Sequence, residues 1–414
     1  MSSHRTFIAW MLCLAPGAWA ATAIPIGAAL PLSGSEAKSG ARVKDGYDLA
    51  VKMVNEKGGL EMGTRRVPVV LKIVDDKSDP AVDAEMIRQL VAGGSRLLLG
   101  TFSTPLVEAG SAAAEKADVP YVSPTGASEA LYRRGFKNLY SVQAPIDMLG
   151  DTLMRWIDDQ QQQGKLPTPA RVALVWENTA HGKEFAAGVR EFTTRTPRRR
   201  GAYRLVIDEG FELNAKDFKG LLGRVRDAKA DLLLVDSHLP DYITMQTEYA
   251  KMGLCHKALS YGARGPERDA REKLKGASDY ILSAVWWSPR MNRNDRNGEF
   301  IGRFRAEYKR DPEWYEALGY EAARALFTAV QKAGSVDSAA VRKQLDRLQM
   351  ESILPGGNLR FEEKYGRQAQ YPFVVQQNMP DGSAPVIYPR IAAEKDGVSP
   401  NPMCAGTRVR AAAR

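Results

Sequence analysis

Residues 96–128 read RLLLGTFSTPLVEAGSAAAEKADVPYVSPTGAS. A buried strand ends in Gly100-Thr101-Phe102-Ser103-Thr104, a helix follows, and a second strand ends in Ser123-Pro124-Thr125-Gly126-Ala127-Ser128. Each strand runs out into small hydroxyl residues where a helix should begin. Thr104 has the chemistry of an N-cap, and Pro105 suits the first helical position, where its missing N–H costs nothing. Free N–H groups at a helix N-terminus, with a serine and a threonine beside them, make a place for an anion. Two such strand ends side by side form one polar crevice at the carboxyl edge of a parallel sheet, where open α/β folds bind ligands. The same residues also serve as ordinary caps of βα loops.

The alternation continues on both sides of this stretch. Upstream, a strand over 24–32 enters the small-residue loop Pro31-Leu32-Ser33-Gly34-Ser35. A helix over 41–57 carries Val43, Tyr47, Leu49, Ala50, Met53 and Val54 on one face and stops at Gly58-Gly59. A strand over 67–74 precedes Asp79, an N-cap, and Pro80, the first residue of the next helix. Near residue 143 the rhythm restarts with a helix over 146–162 and strands over 171–177, 203–211 and 231–237, each followed by a helix. Two more strands (257–262, 279–287), a helical stretch (299–348) and short strands at 359–361, 371–379 and 386–388 complete the pattern. Regular strand–helix alternation argues for parallel, doubly wound sheets.

A chain of 414 residues has room for two domains, and its 44% apolar and 26% charged residues are those of a soluble globular protein. The net charge of +9 is spread thinly. Its densest run, Arg198-Arg199-Arg200, has no interleaved aromatics to stack bases and reads as a solvated turn, not a nucleic-acid contact. Residues 1–23 read as an export signal. His4 and Arg5 precede a short apolar run over 7–14, and Ala18-Trp19-Ala20 or Ala21-Thr22-Ala23 offers the cleavage pattern. The run is too short for a lasting membrane anchor, and Cys13 follows Leu12, which argues against a lipoprotein cleavage site. Past this segment only Cys255 and Cys404 remain. They form either a bridge or two lone thiols, and neither lies in a metal-binding pattern.

The ordered set of short motifs resembles the periplasmic Leu/Ile/Val-binding protein family. It comprises Ile26-Gly27-Ala28-Ala29-Leu30-Pro31-Leu32-Ser33-Gly34, Val54-Asn55-Glu56-Lys57-Gly58-Gly59, Asp75-Asp76…Ser78-Asp79-Pro80, Gly100-Thr101-Phe102-Ser103-Thr104, Val122-Ser123-Pro124 and Phe361-Glu362-Glu363-Lys364-Tyr365-Gly366. The resemblance runs to about Pro389. It implies a type I periplasmic binding protein fold: two doubly wound α/β lobes joined by three crossover strands, closing on a ligand between them. Lobe 1 is then expected over 24–143 and 290–348, lobe 2 over 144–289 and 349–391, and a flexible basic tail over 392–414.

The resemblance also assigns a pocket. Ser103 and Thr104 match the loop that grips a ligand carboxylate, and Thr125 and Ala127 match second-loop positions that bind through backbone and side-chain oxygens. Ala127 replaces a usual Thr, so Ser128 is the candidate to supply the missing hydroxyl. Ser39 falls where the family often has an aromatic residue, leaving room for a larger ligand or for Arg42 to reach in. On lobe 2, His238 and His181 fall near cleft-lining tyrosines, with a solvent-facing helix start as the other reading of His181. Trp176 reads as strand core or cleft lining, and Trp286-Trp287 as hinge or core packing.

Arg264 falls near the acidic residue that pairs with an amino-acid ammonium. Two like charges about 4 Å apart repel by about 4 kcal/mol at an effective dielectric of roughly 20. Arg264 in the pocket therefore favours an aromatic or dicarboxylic acid. In the competing reading Arg264 faces solvent, and Glu267 or Glu177 binds an ammonium. No phosphate-cradling loop, nucleophile elbow, metal-binding His pair or catalytic Cys–His set is present. The expectation is a periplasmic, non-enzymatic subunit without cofactor. It captures a small carboxylate-bearing solute, an amino acid, aromatic acid or dicarboxylate, for an ABC permease in the inner membrane. The alternative is a sensory component presenting ligand to a receptor kinase.

Overall fold

The computed structural model describes residues 23–195, 201–290 and 295–406. The expected export signal up to residue 22, Arg198-Arg199-Arg200 and residues 407–414 lie outside that set.

Lobe 1 opens with β1 (Ile24–Leu30), α1 (Ala37–Asn55), the small hairpin β2 (Leu60–Met62) and β3 (Arg65–Val67), then β4 (Val69–Asp75) and α2 (Pro80–Ala92). It continues through β5 (Leu98–Leu99), α3 (Thr104–Lys116), β6 (Tyr121–Ser123), α4 (Glu129–Tyr132) and β7 (Leu139–Ser141). The strands form one parallel sheet in the order β4-β1-β5-β6-β7. Asp79 caps α2 as its spacing from Pro80 requires, accepting the N–H groups of Ala81 (2.8 Å) and Val82 (3.1 Å).

Lobe 2 runs through α5 (Ile146–Gln162), β8 (Ala170–Glu177), α6 (Ala180–Arg195), β9 (Tyr203–Phe211), α7 (Lys219–Asp227) and β10 (Leu232–Asp236). Then come α8 (Leu239–Lys251), β11 (Ala258–Tyr261), α9 (Arg268–Leu274) and β12 (Leu282–Val285). The chain returns to lobe 1 with α10 (Asp295–Tyr308), α11 (Trp314–Ala333), α12 (Ser338–Leu345) and the hairpin of β13 (Gln349–Glu351) and β14 (Asn358–Arg360). It crosses a third time to add β15 (Val374–Gln377) and β16 (Val386–Tyr388) antiparallel to the lobe 2 sheet, whose order is β16-β15-β12-β11-β10-β8-β9. The strand runs are apolar because both sheet faces are covered by helices. Burying each Leu, Ile or Val side chain stabilises by about 1.5–3 kcal/mol. Helices α1 and α11 pack so closely that a Cβ on Gly46 would meet the Glu316 carbonyl at 2.3 Å, which leaves glycine as the residue that fits.

Two expected boundaries are corrected. Residues 349–369, expected in lobe 2, pack on lobe 1. Glu321 of α11 accepts Ser352 Oγ (3.2 Å) and the Ile353 N–H (3.3 Å), Phe361 packs on Tyr140 with ring centroids 5.3 Å apart, and Gln368 bridges Ser141. A short hairpin has no period that reveals which lobe it covers. The tail over 392–406, expected to be loose, is tied down. Cys404 is disulfide-bonded to Cys255 with 5.4 Å between Cα atoms, Glu394 pairs with Arg290 at 3.1 Å, and the Asn401 N–H donates to the Lys257 carbonyl at 2.8 Å.

Candidate ligand cleft

Both sheets reverse their strand order where the lobes face each other, between β1 and β5 in lobe 1 and between β8 and β10 in lobe 2. Such switch points open a crevice at the strand carboxyl ends. A small, almost filled cavity of about 10 Å³ lies there. A larger hollow of about 560 Å³, bordered by Trp314 and Glu267, opens to solvent. The small cavity is the candidate site, because both switch points open there and its lining includes two buried polar atoms without a partner, Thr104 Oγ1 and Trp314 Nε1.

The lobe 1 wall is built from the two strand ends of residues 96–128. Asp76 accepts Thr101 Oγ1 at 2.7 Å, the Thr101 carbonyl accepts Thr125 Oγ1 at 2.7 Å, and Ser123 Oγ donates to the Thr125 carbonyl at 2.7 Å. This chain of bonds holds the loops rigid and uses the Thr125 hydroxyl proton internally. The N-cap of α3 is Ser103, one residue earlier than the sequence reading, and its side chain makes no capping bond. Thr104 becomes the first helical residue, and its buried Oγ1 has no hydrogen-bond partner. Both hydroxyls line the cavity beside the helix N-terminus, where an anion is stabilised.

The lobe 2 wall is cationic. His181 Nδ1 lies 2.8 Å from Asp236 Oδ2, His238 Nδ1 makes a short contact with Glu177 Oε2, and Thr179 Oγ1 donates to Glu177 Oε1 at 2.8 Å. Each Nδ1 is turned to a carboxylate, and both residues line the cavity. Burial alone would lower the His238 pKa, but the Glu177 and Glu36 carboxylates outweigh it and push it up to about 9. Burial correspondingly disfavours the Glu177 anion, yet His238 holds its pKa down at about 2. A Cβ on Gly182 would meet the Glu177 carbonyl at 2.1 Å, so glycine lets α6 start against the end of β8 and brings His181 inward.

Arg264 is buried in the same wall. Its Nε donates to the Ser237 carbonyl at 3.0 Å and its guanidinium bonds Glu267 Oε1 (3.2 Å) and the Tyr315 hydroxyl. Tyr315 in turn donates to Glu267 Oε1 at 2.8 Å. The guanidinium carbon stands 5.5 Å from the Phe102 ring centre and 5.4 Å from that of Trp314, within cation–π range. Burial works against the charge, but Tyr315, Glu267, Glu36 and Asp236 raise its pKa above the usual arginine value. Phe102, Trp286 and Trp314 complete the cavity, with Trp286 and Trp314 ring centres 4.9 Å apart. Trp286 Nε1 also donates to the Ala144 carbonyl at 2.8 Å, tying the cavity to the crossover between lobes.

Of the sequence-derived candidates, Ser103, Thr104, Thr125, His181, His238 and Arg264 line the cavity. Five others do not. The Ala127 carbonyl accepts the Ile146 N–H (3.1 Å) and Gln368 Nε2 (3.0 Å), so it serves the crossovers. Ser128 donates its hydroxyl to Glu184, and Ser39 to the Tyr315 hydroxyl at 3.5 Å. Arg42 reaches Asp269 (3.1 Å) and Glu313 rather than the pocket, because these carboxylates meet it where the lobes touch. Glu177 lies behind His238. Glu267 and Glu177, the alternative ammonium partners, are both engaged with cations, and Arg264 does not face solvent. Trp176 stacks under Arg190, 4.6 Å from ring centre to guanidinium, away from the cavity.

Phe102, Gly126, Gln143, Trp286 and Trp314 are cavity residues that sequence reading did not assign. Phe102 was legible from its place inside Gly-Thr-Phe-Ser-Thr, whereas Trp314 arrives from a distant helix with no local signal. Among the described residues, Glu177, His181 and Asp236 bring donor atoms within 4.8 Å of one another, the spacing of a metal triad. His181 already bonds Asp236, and Glu177 already bonds His238. With the cationic His238 and Arg264 beside them, the three act as an anchor for the imidazoles.

A family model described as periplasmic binding protein matches residues 23–383. A curated relative, the Leu/Ile/Val-binding protein homolog 1 of Brucella melitensis, is 24% identical over 359 residues, covering 86% of this chain and 90% of its own. The branched-chain amino acid transporter substrate binding protein LivJ from Streptococcus pneumoniae, in complex with isoleucine, superposes with a TM-score of 0.77. It is 20% identical and covers 92% of this chain and all (100%) of its own. The solute binding protein of an ABC transporter from R. palustris, in complex with benzoate, gives a TM-score of 0.74. It is 20% identical, with coverage of 91% and 99%.

Proposed function

The chain belongs to the periplasmic binding protein family, and on that premise we propose that it captures a small aromatic carboxylate between its lobes for an inner-membrane ABC permease. The observation that carries this reading is the make-up of the cavity wall: Arg264, His181, His238, three aromatic side chains and no carboxylate. A ligand carboxylate fits the α3 N-terminus with Ser103 and Thr104, and a flat apolar body fits Phe102, Trp286 and Trp314. An amino-acid ammonium would meet a guanidinium where it needs an anion. Binding favours the shut form, and the crossovers near Ala144 and Trp286 are where the chain bends as the lobes part.

A thermal-shift screen of amino acids, aromatic acids and dicarboxylates tests this, since a ligand that binds only the folded state raises the melting point. The largest shift is expected from an aromatic monocarboxylate. A largest shift from leucine or valine would overturn the reading.

A further inference from the structure

The shut lobes leave almost no room at the candidate site. Its volume of about 10 Å³ is space for roughly one water, whereas ligand pockets begin at roughly 300 Å³. The hollow of about 560 Å³ stands next to it, and among the described residues Trp314 is the one that lines both. Trp314 is 3% exposed, stacked on Tyr315 with ring centres 3.7 Å apart and tilted against Trp286 at 4.9 Å. Despite that burial, its Nε1 has no hydrogen-bond partner. A buried donor left unmet has given up water for nothing, so native interiors rarely keep one without a reason.

Two features let this indole move. Trp314 is the first residue of α11, directly after the N-cap Glu313. Deeper in a helix, the preceding turn bars one of the three side-chain rotamers, but no helical turn precedes Trp314. The hollow also holds an acceptor of the kind that the indole lacks. Glu267 lines it, is 1% exposed, and accepts Arg264 and Tyr315 on Oε1, while its buried Oε2 meets no donor. A donor without an acceptor and an acceptor without a donor thus border the same hollow.

We propose that Trp314 is a movable wall that sets the size of the solute: its indole turns into the hollow toward Glu267, and the aromatic ring of the solute takes the vacated place on Tyr315 and Trp286. This rests on the carboxylate-capture reading above and adds a size limit to it. The ring replaces an indole, so acids with one ring or two fused rings fit, and a longer biphenyl body runs into the displaced Trp314. The displaced indole remains as the outer wall of the site. Binding therefore carries a tryptophan out toward solvent, the reverse of the burial that lobe closure alone produces.

The test follows Trp314 by fluorine NMR in protein labelled with 5-fluorotryptophan, its resonance assigned from Trp314→Phe. The change in resonance between light and heavy water reads how far each indole meets solvent. On saturation with benzoate or 2-naphthoate, that change should rise for Trp314, from the value of a buried ring toward that of an exposed one. An unchanged or smaller value would place the extra room in lobes standing apart, and would overturn the inference while leaving carboxylate capture intact. Calorimetry gives an independent reading. The wild type should bind biphenyl-4-carboxylate about tenfold or more weakly than 2-naphthoate, and Trp314→Ala, which joins site and hollow, should cut that difference to below about threefold. The same size preference in both proteins would overturn the inference. If no carboxylate of the series binds the wild type, the capture reading fails and this inference fails with it.

Discussion

Glu184 on α6 of lobe 2 accepts the Ser128 hydroxyl of lobe 1 at 2.7 Å. The same carboxylate takes the N–H groups of Glu129 at 2.7 Å and Ala130 at 3.0 Å, the open end of α4. Three bonds from one side chain thus join the two lobes. On the opposite flank Arg42 of α1 bonds Asp269 at 3.1 Å and Glu313 accepts the Arg268 N–H at 2.8 Å. Closure is therefore held on both sides of the cavity by groups that never touch its contents.

Glu184→Ala should weaken ligand binding without unfolding either lobe. In the open form Glu184 is solvated, so its loss penalises the shut form by about 1–2 kcal/mol, a fall in affinity of roughly 5–30-fold. Titration calorimetry reads the affinity, and the melting point without ligand should move by less than about 2 °C. An unchanged affinity would remove Glu184 from closure.

The Glu177–His238 pair sets a pH window. The raised His238 pKa gives stability that is full below the unfolded value of 6.5 and is lost as pH rises through about 9. The lowered Glu177 pKa gives stability that is full above 4.5 and is lost as pH falls through about 2. Affinity for an anionic ligand should hold steady from pH 6 to about 8 and fall toward pH 10 as His238 loses its charge. In Glu177→Gln burial acts against the His238 charge with its main opponent gone, and the fall should shift to lower pH. A pH profile that Glu177→Gln does not move would contradict this.

The hydroxyls at the start of α3 are expected to carry the carboxylate. Thr104→Ala should cost about 1–2 kcal/mol of binding, roughly tenfold, and the Ser103→Ala, Thr104→Ala pair should reduce carboxylate binding below detection. Neither hydroxyl caps its helix, so the thermal stability of the unliganded protein should change little. Retained affinity in the double variant would remove that assignment.

Breaking the Cys255–Cys404 bridge should lower stability by about 2–4 kcal/mol and leave ligand affinity unchanged. The bridge closes a loop of 149 residues and pins the tail to the end of lobe 2 remote from the cleft. Melting curves of Cys255→Ser with Cys404→Ser, with and without ligand, measure both quantities. A loss of affinity would mean that the tail also steadies the cleft.

The fold was readable because its signals are local. Asp79 with Pro80, Gly58-Gly59 after α1 and the small residues ending β5 and β6 each mark an element boundary within a few residues. What escaped depends on contacts between distant segments. Arg42 looks free to enter the pocket until Asp269 and Glu313 arrive from α9 and the start of α11. Ser128 looks like a replacement hydroxyl until Glu184 claims it.

The most direct measurement is calorimetric titration of the wild type and of Arg264→Gln with an aromatic monocarboxylate and with leucine. The wild type should bind the aromatic acid and not leucine, and Arg264→Gln should lose the aromatic acid by about 100-fold, as expected for a buried charge-assisted contact. Tight leucine binding that Arg264→Gln leaves unchanged would contradict the cationic-pocket reading.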